Sequence, residues 1–143
     1  GDLQVPEGLY RIEALNPNSK FHLSLRISYP NEDDRARARL DNRKNLGGDI
    51  MIHGSAVSIG CLAVGDEAAE DLFVLAALTG LSKVNVILSP LDFRQRDLPG
   101  MPPDAPTWTA ERYAAIKAAL AAVRKPNPTQ ETNRTSSAAG SRP

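Results

Sequence analysis

The sequence predicts a mainly β fold of the α+β type, and three observations predict it. The stretch Phe21-His22-Leu23-Ser24-Leu25-Arg26-Ile27-Ser28 alternates apolar and polar residues without a break, which is the period of a half-buried strand. Shorter apolar runs at 9–13, 49–52 and 84–88 are bounded by Gly, Pro, Asn and Ser. After Cys61 the pattern changes to helical spacing, over 66–79 and again over about 109–124.

Taken in order, residues 1–8 read as a turn, because Gly1-Asp2 and Pro6-Glu7-Gly8 combine a fixed φ with a permissive one. Leu9-Tyr10-Arg11-Ile12-Glu13 alternates and reads as a strand, and Asn16-Pro17-Asn18-Ser19 reads as a loop. The alternation of 21–28 puts Phe21, Leu23, Leu25 and Ile27 on one face and His22, Ser24 and Arg26 on the other. Tyr29-Pro30-Asn31 ends that strand. Residues 32–45 hold four acids and five bases, so they read as a solvated loop or short exposed helix, with a substrate-facing lid as the alternative. Gly47-Gly48 is a hinge, and Asp49-Ile50-Met51-Ile52 is a short buried strand running into His53-Gly54. Asp66 is a good N-cap, Glu67 and Glu70 suit the first helical turn, and Gly80 is a natural stop. Residues 97–106 are Pro-rich and irregular, and Trp108 reads as the anchor of the second helix on the core. From Pro126 onward the chain has no apolar periodicity and reads as a disordered tail.

Composition removes several classes of function. Lys+Arg and Asp+Glu are 17 each, which argues against a nucleic-acid-coating protein. The hydrophobic fraction of 41% argues against full-length disorder. No apolar run approaches the ~20 residues of a membrane helix. With one cysteine and two histidines, an intrachain disulfide is impossible and a multi-ligand zinc site has few donors.

The informative stretch is Ile52-His53-Gly54-Ser55-Ala56-Val57-Ser58-Ile59-Gly60-Cys61. Thiol nucleophilic catalysis wants this combination: a thiolate is the reactive species, and a His within reach takes the proton. A strand end fixes the His, a small-residue loop folds the Cys back toward it, and Gly60 lets the backbone turn so that N–H groups point at a developing oxyanion. Spacing alone leaves other readings open. A lone Cys is commonly a small buried apolar residue, a lone His a hydrogen-bonded strand-end residue, and His22, His53 and Cys61 together a weak metal-site alternative.

Gly54 … Ser58-Ile59-Gly60-Cys61 after His53 resembles the active-site signature of the L,D-transpeptidase (YkuD-type) catalytic domain. The very short loop, Ile59 before Gly60-Cys61, and Gly47-Gly48-Asp49-Ile50-Met51-Ile52-His53-Gly54 resemble its YafK-like subgroup. Gly1-Asp2 … Pro6-Glu7-Gly8-Leu9-Tyr10 resembles the family's turn, and Asn16-Pro17-Asn18-Ser19 … Phe21-His22-Leu23-Ser24 … Tyr29-Pro30-Asn31 resembles the subgroup's segment before the active site. The resemblance covers residues 1–95. Val5 stands where the family has Thr, and Ile59 replaces the second His of the common signature. The strands that family domains carry before the Gly-Asp turn are absent from this sequence, so the expectation is a domain missing its beginning.

The resemblance implies a YkuD-like β-sandwich or mixed sheet, with a helix after the nucleophile and another at the C-terminus. The expected organisation is a catalytic domain at 1–96, a Pro-rich linker and helix at 97–125, and the tail at 126–143. It also implies acyl transfer on peptidoglycan stem peptides. His53 is the proton acceptor, Cys61 the nucleophile forming a thioester, and the N–H groups of Gly60 and Cys61 hold the oxyanion. Ser58 and Gly54 are the positions for holding the imidazole, through a hydroxyl or a backbone carbonyl. His22 and Tyr29 are candidates to line the substrate groove, and Arg94 to bind a stem-peptide carboxylate through its fork; ordinary surface or packing roles remain open for all three. An amine acceptor gives crosslinking, D-amino-acid exchange or attachment of an envelope lipoprotein. Water gives an L,D-carboxypeptidase or amide hydrolase, releasing D-alanine or a tethered lipoprotein. A truncated, non-catalytic cell-wall-binding domain is the third alternative. No metal or organic cofactor is required, and the substrate sets a periplasmic or cell-envelope location, which suits a lone cysteine.

Overall fold

The computed structural model describes residues 4–58, 60–98 and 100–123. The chain runs through β1 (Gly8–Ser19), β2 (His22–Ile27), α1 (Glu32–Leu40), β3 (Met51–His53), β4 (Leu62–Ala63), α2 (Asp66–Thr79), a 3-10 turn (Leu81–Lys83), β5 (Asn85–Leu88) and α3 (Thr109–Ala122). The strands make one mixed sheet in the order β4-β3-β2-β1-β5. Neighbours are antiparallel except β3 and β4, which are parallel. The expected α+β class and mixed sheet are present, and helices cover the sheet. The expected turn at Gly1-Asp2, the position of Ile59 and the tail at 126–143 lie outside the described residues.

Register sorts the sheet into two working faces. One row reads Leu15, Leu25, Ile52, Leu62 across β1, β2, β3 and β4, and the next reads Asn16, Ser24, His53, Ala63. Side chains alternate along a strand, so the first row faces the core and the second faces away from it. Leu25 and Ile27 are buried to 1% and 0% exposure, in one cluster with Tyr10, Ile12, Ile52, Ala76 and Leu88. Burying a Leu or Ile side chain contributes about 1.5–3 kcal/mol, and α2 covers this face with Leu72, Phe73 and Ala76.

Strand β1 is longer than the alternation of 9–13 suggests: 16–19, expected as a loop, belong to it. A register shift between Ile12 and Ala14 explains the broken pattern. Ile12 opposes Ile27 while Ala14 opposes Arg26, so an extra residue is absorbed by a bulge. Tyr10, Ile12 and Leu15 thereby share the core face despite the odd spacing between Ile12 and Leu15. A second shift between Asn16 and Ser19 leads into the turn at Lys20 and Phe21.

The charged segment 32–45 forms α1, started by a capping box in which Asn31 and Asp34 bond each other's backbone N–H. Its inner side is not solvated: Asp34, Arg37 and Ala38 are buried. The reason is α3. Arg112 reaches Asp33 and Asp34 at 2.8 and 2.9 Å, and Tyr10 donates to Asp34 at 3.1 Å. Trp108 anchors α3 to α1 rather than to the main core. The guanidinium groups of Arg37 and Arg112 both lie over its indole, 5.2 and 4.9 Å from the ring centroid, and its N–H donates to Asp41. Among the described residues, Arg112 Nε and Thr109 Oγ1 are buried without a hydrogen-bond partner. Helix α3 itself buries Ile116 completely, and Tyr113 packs on Phe93 at 5.7 Å.

Helix α2 spans the expected residues and stops at Gly80, whose φ of +93° suits glycine. Its N-cap is Gly65, not Asp66. Asp66 is the first helical residue, and its carboxylate is used elsewhere, as described next.

Candidate active site

His53 ends β3 and is 3% exposed. Ser24 of β2 and Ala63 of β4 flank it in register, so its backbone is held from both sides. Its Nδ1 lies 2.6 Å from the Gly54 carbonyl oxygen. A carbonyl only accepts, so Nδ1 carries the proton of the neutral ring and Nε2 is the basic nitrogen. Phe21 stacks on the imidazole with centroids 4.7 Å apart and planes tilted by 31°.

The turn after His53 is tightly tied. Gly54 N–H donates to the Leu23 carbonyl at 3.1 Å, and Val64 N–H donates to the His53 carbonyl at 3.0 Å. Ser55 adopts φ +64° and donates its N–H to Asp66 Oδ1 at 2.7 Å. A Cβ on Gly54 would lie 2.5 Å from Asp66 Oδ1, 2.8 Å from the Phe21 carbonyl oxygen and 2.9 Å from His22 Cβ. Only glycine fits where these three elements converge.

Cys61 immediately precedes β4. Carrying the β3–β4 register back one residue from Leu62 and Ile52 sets Cys61 opposite Met51. Met51 and His53 are two apart on one strand, so Cys61 falls on the face that carries His53. Gly60, at φ +84°, makes the bend that leads into it. The thiol is partly exposed. His53, Cys61 and Met51 line one cavity of about 550 Å³, together with Val57 and Ser58 of the loop and Asn16, Asn18, Lys20 and Phe21 of the hairpin. Among the described residues no carboxylate lines this cavity, and Lys20 is the one Lys or Arg that does. The imidazole bonds the Gly54 carbonyl and the Cys61 backbone N–H bonds the Ser58 hydroxyl, so among the described residues no hydrogen bond joins the thiol to the imidazole. Such bonds are often loose without substrate.

The other candidates are placed differently. Ser58 Oγ accepts the Cys61 N–H at 2.9 Å, so in this state it engages one expected oxyanion donor and leaves the imidazole to Gly54. His22 points to α2, where its Nε2 lies 2.6 Å from Glu70 Oε1, and it does not line the Cys61 cavity. Tyr29 donates to the Leu46 carbonyl and packs edge-on against Tyr10 at 6.1 Å. It lines a second cavity of about 560 Å³ with Trp108 and Arg112. That cavity is slightly larger but contains neither Cys61 nor His53. Arg94 is exposed and spends its fork on Asp92, with Nε and Nη2 each 2.9 Å from a carboxylate oxygen. These bonds hold the Asp92 carboxyl well below the usual carboxylate range.

Comparison with curated proteins finds the Escherichia coli K12 protein named "Putative L,D-transpeptidase YafK", 36% identical over 102 residues that make up 68% of this chain and 38% of the relative. The Escherichia coli O157:H7 protein of the same name matches to the same extent. The chain belongs to the YafK-like L,D-transpeptidase family. It spans 38% of the length of the curated relatives it matches. Protein-family models give no match. Among solved structures, one titled "Structure of Bdellovibrio bacteriovorus Bd1075" superposes with a TM-score of 0.45 and 22% identity, covering 62% of this chain and 35% of that one.

In this YafK-like chain five residues at or beside the cavity were not evident as such from the sequence. Phe21 was expected on the core face by strict alternation, and the left-handed turn at His22 (φ +71°) moves it. Asp66 carried a capping signal but serves the Ser55 N–H. Asn16 and Asn18 were expected in a loop, and the bulged strand, with Lys20 of the turn that follows it, makes them a cavity wall. Among the described residues, no group of three or more His, Cys, Asp or Glu is arranged to hold a metal ion.

Proposed function

We propose that this chain performs Cys61-dependent acyl transfer on peptidoglycan stem peptides. The observation that carries the reading is the His53 Nδ1–Gly54 carbonyl bond, which makes Nε2 the basic nitrogen of a ring sharing a cavity with the single thiol. His53 Nε2 takes the thiol proton. The sulfur attacks the carbonyl carbon of the third stem residue, and a C–S bond forms. The C–N bond to the terminal D-alanine breaks, and the imidazolium returns its proton to the leaving amine. Gly60 N–H supports the oxyanion, and Cys61 N–H joins it once Ser58 Oγ turns away. The thioester then passes to an amine: a second stem peptide, a D-amino acid or an envelope lipoprotein. Water in place of the amine gives the hydrolase of the same fold. The reaction belongs outside the cytoplasmic membrane, where peptidoglycan lies. Among the described residues no helix is long and apolar enough to cross a membrane.

The test is incubation with tetrapeptide muropeptides, with and without an amine acceptor, followed by mass spectrometry. A thioester mass on Cys61, absent from Cys61→Ser, is expected. Crosslinked dimers identify transfer, and trimmed monomers alone identify hydrolysis. A folded protein that never acquires the adduct refutes both and leaves a wall-binding domain.

A further inference from the structure

The tip of the β1–β2 hairpin is bent against the residues that hold His53. His22 adopts φ +71°, a left-handed backbone conformation that disfavours side chains. Conformations of this kind persist where neighbours over-determine them. Two neighbours do so here. Glu70 Oε1, from the second turn of α2, lies 2.6 Å from His22 Nε2. The space around Gly54 is closed by the Phe21 carbonyl and His22 Cβ, at 2.8 and 2.9 Å from where a Cβ would stand. The result is that Phe21 leaves the core-facing side of its strand and lays its ring on the imidazole.

We propose that Phe21 is a positioning residue for His53, clamped over the imidazole by the His22–Glu70 pair. The Gly54 carbonyl fixes one in-plane direction of the ring, and rotation about that direction remains. A stacked ring removes it and covers one face from water. Helix α2 thereby supports the base twice, through Glu70 and the hairpin tip and through Asp66 and Ser55. This inference rests on His53 serving as the base for Cys61.

The test is the rate of Cys61 alkylation by iodoacetamide across neutral pH, with imidazole nitrogen NMR as a second readout. Wild type should show a base-assisted profile that His53→Gln removes. Glu70→Ala and Phe21→Ala should each lower the neutral-pH rate about tenfold, because small misplacements of reacting groups are costly. Glu70→Gln, which retains an acceptor for His22, and Phe21→Tyr should restore most of the rate. The pair is exposed, 41% at His22 and 57% at Glu70, so Glu70→Ala should leave the melting temperature close to wild type. That separates positioning from general stability, and it decides the matter even where Phe21→Ala folds poorly. Wild-type rates and ring signals in both alanine variants, with the His53→Gln loss intact, overturn the positioning role. A His53→Gln variant that alkylates like wild type overturns the dyad, and this inference with it.

Discussion

Ser55 donates its backbone N–H to the Asp66 carboxylate at 2.7 Å. The bond joins the turn that follows His53 to the first residue of the helix that follows Cys61. Both ends of the loop between His53 and Cys61 are therefore referred to one rigid element. Asp66→Ala should cost about 1 kcal/mol in denaturant unfolding and speed amide exchange at Ser55. Asp66→Asn, which retains an acceptor, should lose less.

Gly54→Ala tests the convergence of hairpin, turn and helix. The added methyl meets two backbone-fixed groups and the Asp66 carboxylate below 3.0 Å. Overpacking of this kind costs about 1–3 kcal/mol. The expected outcome is a lowered melting temperature together with loss of the Nδ1 proton signature of His53 by NMR.

Removing the proposed base should affect chemistry far more than folding. His53→Gln is expected to lower the rate of Cys61 acylation by about 10²–10⁴-fold, the range for general acid–base groups. Circular dichroism should stay unchanged. A loss confined to KM would contradict the proposed role.

Arg112→Ala should be among the most destabilising substitutions. It strips the partner from Asp34, whose side chain is 4% exposed, and breaking a buried pair on one side costs about 3–5 kcal/mol. Replacing Asp34 and Arg112 together by apolar residues should recover part of the loss, read as a double-mutant cycle.

Stability should fall at both ends of the pH scale, for opposite reasons. Burial raises the Asp33 carboxyl, but hydrogen bonds from Arg37 and Arg112 outweigh it and leave it below its ordinary value of 3.8. A depressed carboxyl contributes stability that is present above the ordinary value and lost as pH drops through the folded one. Burial, then the bond with Glu7, pushes Tyr113 from 10.0 up to about 12. That contribution is complete below about 10 and disappears as pH climbs toward 12. Acid and alkaline denaturation followed by circular dichroism check the two limbs, and Asp33→Asn should flatten the acid one.

Much of this was legible in the sequence because local chemistry wrote it there. The alternation of Leu23, Leu25 and Ile27 marked the core face of β2, the spacing of Ala69, Leu72, Phe73 and Ala76 marked α2, and Gly80 marked its end. The pairing of His53 with Cys61 was a family pattern, and the two residues line one cavity. Part of what escaped depended on distant parts of the chain, and part on local geometry that no pattern displays. The burial of Asp34 and Arg37 is invisible until α3 arrives with Arg112 and Trp108. Arg94 looked like a free fork because its carboxylate partner, Asp92, was only two residues away. The placement of Phe21 turned on a single left-handed residue, which no periodicity reveals.

The irregularity between Ile12 and Ala14 works like a frameshift written into the backbone. From there to the second shift beyond Asn16, β1 is read on the opposite side of the sheet. Had the strand continued in its first frame, Leu15 would have opened onto the cavity and Asn16 would have faced the helix. The side of the sheet on which this hairpin walls the cavity is thus decided by one inserted residue. Shortening β1 by that residue should do more harm to the cavity wall than replacing any side chain within it.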